Sequence, residues 1–198
     1  MSEVRVLFLT AGEVKRNRED ILNRIGSAQR EKALSYKRES DRLLSMGSSY
    51  LKMKLAGAPE NIRTGPYGKP YGETGYFNLS HSEDLIGIAL CEDAEIGLDI
   101  EKIREMPKGF EEYCLSKEEL NSGMDLLRVF VAKESLAKAE GSGLPDEIKE
   151  VPGIPVDGKV IYRNIPYMRH ECERAGYWVS VSVKENDFTI KGENYEIR

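Results

Sequence analysis

Cysteine, histidine and tryptophan are scarce in this chain: three, two and one among 198 residues. Cys91, Cys114 and Cys172 form no CxxC pair and leave an odd thiol over, which points to a reducing, cytoplasmic setting. His170, in "RHECERAG", has neither a second histidine nor a CxxC to complete a metal site, so it reads as a surface residue. No apolar run approaches the length of a membrane span. The short run Val4 to Leu9 follows an acidic start and reads as a strand, not a signal peptide. Positive charge is also in deficit. A net charge of −5 argues against a general nucleic-acid binder, whose affinity rests on neutralising many phosphates. No glycine-rich phosphate loop of the Walker type occurs, and no additional Asp/His cluster offers a water-activating centre. These absences leave a protein with no membrane and no nucleic-acid partner.

What is present is an ordinary globular balance, 40% apolar and 32% charged, in one domain or two closely joined. Helical spacing runs through 18–36 and 38–57, the second segment closed by Gly57 and Pro59. The turn-rich stretch 65–75 reads as loop. Strands are expected at "DLIGIALC" and "IGLDIE", with "EDAE" as a hairpin turn between them. "PKGFEEYCLSKEELN" reads as one short helix, and 124–140 as a strong helix ending at Gly141. "KVIYR", "YWVSVSV", "DFTI" and "NYEIR" return to strands. "DLIGIALC" and "YWVSVSV" hold similar places in two similar halves. The expected class is α+β with mostly antiparallel sheet.

In Gly97 to Glu101, the sequence "GLDIE" sets Asp99 and Glu101 two residues apart inside an apolar run. Strand geometry sends Ile96, Leu98 and Ile100 to one face and both acids to the other. Two adjacent carboxylates repel and resist losing water, a cost that a cation removes. Glu134, in "FVAKESLAK", is flanked by Lys133 and has Lys138 one turn on. Taken singly, the acids fit a solvated strand face and Glu134–Lys138 fits a surface ion pair. Taken together, they make a hard-oxygen site for Mg²⁺ with cations ready for phosphate. Residues 28–55 carry seven basic side chains against three acidic ones. That segment is either a solvated helix face or a site for one small polyanion.

"YGKP" (67–70), "FNLSHS" (77–82), "IGLDIE" (96–101) and "FVAKESLAKAEGSGL" (130–144) stand in the order and rough spacing of one known family. The chain resembles the 4′-phosphopantetheinyl transferases, specifically the larger, pseudo-dimeric type serving peptide and polyketide synthases. The resemblance implies two similar α/β half-domains in a pseudo-two-fold arrangement, with mostly antiparallel sheets each packed with helices. Residues 1–94 would contact the coenzyme A nucleotide, and 95–198 would carry the metal site and catalytic helix. Asp99, Glu101 and Glu134 would hold Mg²⁺, with Mn²⁺ as the alternative. Lys133 and Lys138 would contact the phosphates, Lys138 stabilising the leaving group. Ser80 and His81 would bind the 3′-phosphate end of coenzyme A, helped by Lys32 and Arg42, while Lys69 and Pro70 would border the adenine nucleotide.

The implied reaction moves phosphopantetheine from coenzyme A to a serine of an apo acyl or peptidyl carrier protein, by a monomeric enzyme. Lys102, Ile103, Arg104, Phe110 and Tyr113 offer a local patch for the carrier, or simply a packed amphipathic helix. One departure stands out: the family carries Trp where this chain has Phe130, and the one tryptophan, Trp178, lies elsewhere. Two other functions compete: a coenzyme A- or carrier-binding homologue with impaired catalysis, and a Mg²⁺-dependent phosphohydrolase.

Overall fold

The computed structural model describes residues 2–57, 61–65, 69–143, 145, 147–184 and 188–194. Tyr67 and Gly68 of "YGKP", Pro59, Leu144, Asp187 and residues 195–198 of "NYEIR" lie outside the described residues.

Strand β1 (Ser2–Thr10) leads into four helices, α1 (Ala11–Arg16), α2 (Arg18–Arg24), α3 (Ser27–Ser35) and α4 (Glu39–Leu55). Strands β2 (Arg63–Thr64), β3 (Pro70–Gly72), β4 (Gly75–Ser82), β5 (Leu85–Cys91) and β6 (Ile96–Lys102) follow. Then come α5 (Phe110–Cys114), α6 (Lys117–Ser122) and α7 (Leu126–Glu140), a 3₁₀ turn at 148–150, and strands β7 (Lys159–Tyr162), β8 (Ile165–Arg174), β9 (Tyr177–Lys184) and β10 (Phe188–Asn194).

The strands form two sheets, ordered β10-β1-β5-β4-β3-β2 and β6-β9-β8-β7. Every pairing is antiparallel except β1 with β10. The α+β class with mostly antiparallel sheet is therefore observed. The two halves follow one plan. β1, α4, β4 and β5 give the order β1-β5-β4, and β6, α7, β8 and β9 give β6-β9-β8. β5 and β9, "LIGIALC" and "YWVSVSVK", do hold equivalent places.

Four layers result. A first core seats α1 to α4 on one face of the first sheet through Val14, Ile21, Met46, Tyr50, Phe77 and Ile88. A second core joins the two sheets through Val4, Val6, Phe8, Leu98, Ile100 and Val181. Helix α7 covers the remaining face, packed on β6 and β9. Both faces of β1 and β5 are thus buried, which explains their nearly continuous apolar runs.

Four sequence expectations change. "EDAE" is not a hairpin turn: β5 and β6 belong to different sheets, and the segment carries the chain across between them. The expected helix 18–36 breaks at Ile25, whose extended backbone separates α2 from α3 while burying its own side chain in the first core. The helix at 107–121 breaks at Ser116, which caps α6 in a reciprocal capping box with Glu119. Part of the turn-rich stretch is also strand, since Tyr71 and Gly72 of β3 pair with Tyr76 and Gly75.

Candidate active site

The alternation in β6 is realised. Ile96, Leu98 and Ile100 are fully buried between the sheets, and Asp99 and Glu101 turn to the α7 side. Helix α7 starts on Asp125, whose carboxylate accepts the Arg128 N–H at 2.8 Å, and stops at Gly141 in the left-handed region. Its approach to β6 depends on Gly97. A Cβ there would lie 2.0 Å from the Ser135 carbonyl oxygen and 2.4 Å from the Ala139 nitrogen. Ser135, fully buried, bonds Ser180 Oγ at 2.8 Å and Ser182 Oγ at 2.9 Å on β9. That hydroxyl cluster and the glycine set the depth and rotation of the helix.

Glu134 and Lys138 project from α7 over Asp99. Lys138 Nζ lies 2.5 Å from Asp99 Oδ1. Ser80 Oγ donates to the same oxygen at 3.0 Å. The other carboxylate oxygen, Asp99 Oδ2, is buried with no hydrogen-bond partner. Burial pushes the Asp99 carboxyl above its ordinary range, and Glu101 adds to that, while Lys138 and Ser80 offset part of it. Burial also raises Glu134 to about 7, with Asp99 and Glu101 pushing the same way and Lys138 opposing. Asp99 and Glu134 are thus each held, with Glu101 beside them, where neighbouring carboxylates disfavour their charge.

A hard divalent cation fits this donor set. Asp99 Oδ2 is an orphaned buried acceptor, and the mutual repulsion of the three acids is the cost such an ion removes. Among the described residues, no three His, Cys, Asp or Glu side chains already stand in ligand geometry. Lys138 supplies the neutralising charge at Asp99 instead.

Lys133 goes elsewhere. It is fully buried on another face of α7, 2.7 Å from Glu119 Oε2, and its ammonium also donates to the Ile148 carbonyl at 3.3 Å. Glu119 Oε1 accepts the Gly153 N–H at 2.6 Å. This pair ties α6 and the 148–153 segment to α7 and does not bring Lys133 to the carboxylates.

Ser80 and His81 are neighbours in sequence but face opposite ways from β4. Ser80 is buried against Asp99, whereas His81 is exposed beside α3 and α4. There it lines a cavity of about 420 Å³ with Lys32, Lys52, Tyr36, Asp41, Ser45, Ser48 and Ser49. Lys52 was not singled out from sequence. Burial and then the nearby Lys32 lower its pKa, the signature of two ammonium groups sharing one space. Arg42 does not line this cavity. Its Nε donates to the Tyr36 carbonyl at 2.6 Å.

Lys69 reaches across to α7, its ammonium donating to the Ala139 carbonyl, and burial lowers its pKa to about 8. It lines a cavity of about 540 Å³ with Tyr71, Tyr76, Glu95, Glu140 and Lys184. Pro70 opens β3, paired with Thr64. In the suggested carrier patch, Ile103 and Tyr113 are 39% and 52% exposed, while Phe110 packs edge-on against Phe130 at 5.3 Å. Phe130 therefore serves packing, as its place on the apolar stripe suggests. Trp178 stands directly across from Glu101 on β9, with the Arg128 guanidinium 5.3 Å from its ring.

Comparison with known proteins agrees with this geometry. Residues 95–191 match the family described as the 4′-phosphopantetheinyl transferase superfamily. Two curated relatives, each named 4′-phosphopantetheinyl transferase AcpT, come from Salmonella typhi and Salmonella typhimurium strain LT2. Each is 43% identical over 61 residues, 29% of this chain. The chain spans 31% of the length of these relatives. The matched segment includes β6 and α7, the two elements that bring Asp99, Glu101, Glu134 and Lys138 together. It is in residues 95–191, just under half of its length, that the chain is similar to the 4′-phosphopantetheinyl transferase superfamily.

Proposed function

We propose that this chain transfers the 4′-phosphopantetheine group of coenzyme A to a serine of an apo acyl or peptidyl carrier protein, releasing adenosine 3′,5′-bisphosphate. The observation that carries the reading is Asp99: a buried carboxylate with one orphaned oxygen, the other held by Lys138 and Ser80, and Glu134 facing it. The basic cavity around Lys32, Lys52 and His81, on the helix side of β4, supports it by offering a place for the 3′-phosphate. Residues 1–94 then contribute the nucleotide contacts, with Lys69 and Pro70 near the adenine, and 95–198 the reacting end. The chain works as a cytoplasmic monomer of the larger, pseudo-dimeric type.

Phosphoryl transfer leaves little covalent work for a protein, so positioning and charge stabilisation carry the rate. Asp99, Glu101 and Glu134 would hold Mg²⁺ or Mn²⁺. Such an ion, when bound, neutralises diphosphate charge and orients its oxygens. The serine oxygen bonds to the β-phosphorus as the bond to the bridging oxygen breaks. Negative charge grows on the departing α-phosphate, and the Lys138 ammonium is aimed to meet it there. The serine proton passes to Glu134, the α7 carboxylate that stands one turn before Lys138 and faces Asp99.

Incubating the protein with coenzyme A, Mg²⁺ and a panel of apo carriers, then weighing each carrier, tests this. A phosphopantetheine-sized mass gain is expected, abolished in Asp99→Ala. Binding of coenzyme A with no mass gain on any carrier would instead mark a catalytically impaired homologue. Orthophosphate release from coenzyme A would mark a phosphohydrolase.

A further inference from the structure

β6 is the outer strand of the second sheet, so half of its backbone N–H groups point away from β9. Buried in the molecule without partners they would be costly. Side chains of β4 supply the partners. Asn78 Oδ1 accepts from the Leu98 N–H at 3.0 Å, Ser80 Oγ from Ile100 at 3.2 Å, and Ser82 Oγ from Lys102 at 3.1 Å. Both strands repeat every two residues, so the match holds for three rungs.

A hydroxyl that accepts in this way still has its own proton to give. Ser80 gives it to Asp99 Oδ1 at 3.0 Å and Ser82 to Glu101 Oε2 at 2.9 Å. Each serine thus grips the β6 main chain and, at the same time, the carboxylate of the preceding residue. The cationic neighbour of Glu101, Arg104, stands back at 4.0 Å and is largely exposed. Ser80 also lies within 3.4 Å of Lys138 Nζ, whereas the bonds of Ser82 go to Glu101 and the Lys102 N–H.

We propose that Ser82 is a positioning residue for Glu101, so that the cation affinity of the second half-domain is set by a hydroxyl donated from the first. The proposal rests on the reading of Asp99, Glu101 and Glu134 as divalent-cation ligands. The hydroxyl holds the carboxylate turned toward Asp99 and Glu134. Without it Glu101 swings toward solvent, and the ion loses a pre-set ligand.

The test uses Mn²⁺ alone, with the free ion counted by electron paramagnetic resonance, on the wild type, Asp99→Asn, Ser82→Ala and Ser82→Thr. Asp99→Asn loses binding. Ser82→Ala binds roughly tenfold more weakly, as loss of a hydrogen bond behind a ligand commonly does. Ser82→Thr, which keeps the hydroxyl, stays within about threefold of the wild type. Should Ser82→Ala not fold by circular dichroism, Ser82→Cys, with its weak S–H donor, replaces it under the same expectation. A folded Ser82→Ala protein with wild-type Mn²⁺ affinity and a lowered melting temperature overturns the proposal: the serine would then only join the halves. Wild-type protein that binds no Mn²⁺, or Asp99→Asn that binds it unchanged, overturns the ligand reading and this proposal with it.

Discussion

Gly97→Ala adds one methyl group where α7 crosses β6, and the structure sets what must follow. The new carbon would sit 2.0 Å from the Ser135 carbonyl oxygen, 2.4 Å from the Ala139 nitrogen and 2.9 Å from the Lys138 carbonyl carbon. All three are backbone atoms of the helix, so no side-chain rotation relieves the clash. To reach even 3.0 Å from the oxygen, α7 must lift by about 1 Å. Overpacking of this kind costs about 1–3 kcal/mol. The lift also carries Lys138 away from Asp99, and a misplacement of about 1 Å can lower turnover roughly a hundredfold. Thermal unfolding and initial rates of holo-carrier formation at saturating coenzyme A read the two effects separately. Gly12→Ala is the control. In α1 its Cβ would find Arg16 Nη1 at an ordinary 3.6 Å, and the same chemical change there should leave stability level or raise it by up to about 1 kcal/mol. A Gly97→Ala protein with the wild-type melting temperature and turnover would refute the claim that glycine sets the depth of the helix. A lower melting temperature with unchanged turnover would refute only the link from helix depth to Lys138.

Two further outcomes follow from the charges. The folded pKa of Glu134, about 7, lies above its ordinary 4.5, so the folded state binds this proton more tightly than the unfolded chain. Its contribution to stability therefore falls as pH rises from about 4.5 to 7 and is level above that. Glu134→Gln should stabilise the metal-free protein at pH 8, by on the order of 1 kcal/mol after allowing for solvent screening, and hardly at all at pH 4. Denaturant melts at the two pH values check this, and an equal effect at both would sink it. Lys133→Met leaves Glu119 buried without its cation and should cost about 3–5 kcal/mol in stability, with turnover per folded molecule retained. If the variant is stable but inactive, Lys133 acts on the phosphates after all.

The carboxylate end of the site was legible because its logic is local. β6 alternates cleanly, and α7 places Glu134 and Lys138 one turn apart between an aspartate cap and a glycine stop. Lys133 was not legible in the same way. It adjoins Glu134 in sequence, but the face it occupies is decided by Glu119, fourteen positions earlier on a helix of its own. Strand β8 escaped notice because its inward positions Arg169 and Glu171 are charged and pair with each other at 2.8 Å, hiding the two-residue period. The crossing at "EDAE" looked like a hairpin because turn chemistry does not say whether the next strand returns to the same sheet. The partner of "NLSHS", β6, is supplied by tertiary packing. Nothing within the motif says that Ser80 and Ser82 face carboxylates while His81 faces lysines.

The position of Trp178 gives the molecule an optical handle. With a single indole among ten tyrosines, light absorbed at the red edge of the aromatic band excites one residue alone. That residue lies across the strand from Glu101 and under the Arg128 guanidinium. Its emission therefore senses the electric field on the face of β6 and β9 where the acids stand. Any ion, phosphate or displaced arginine that alters this field shifts the colour or the yield, with no label attached and no turnover needed.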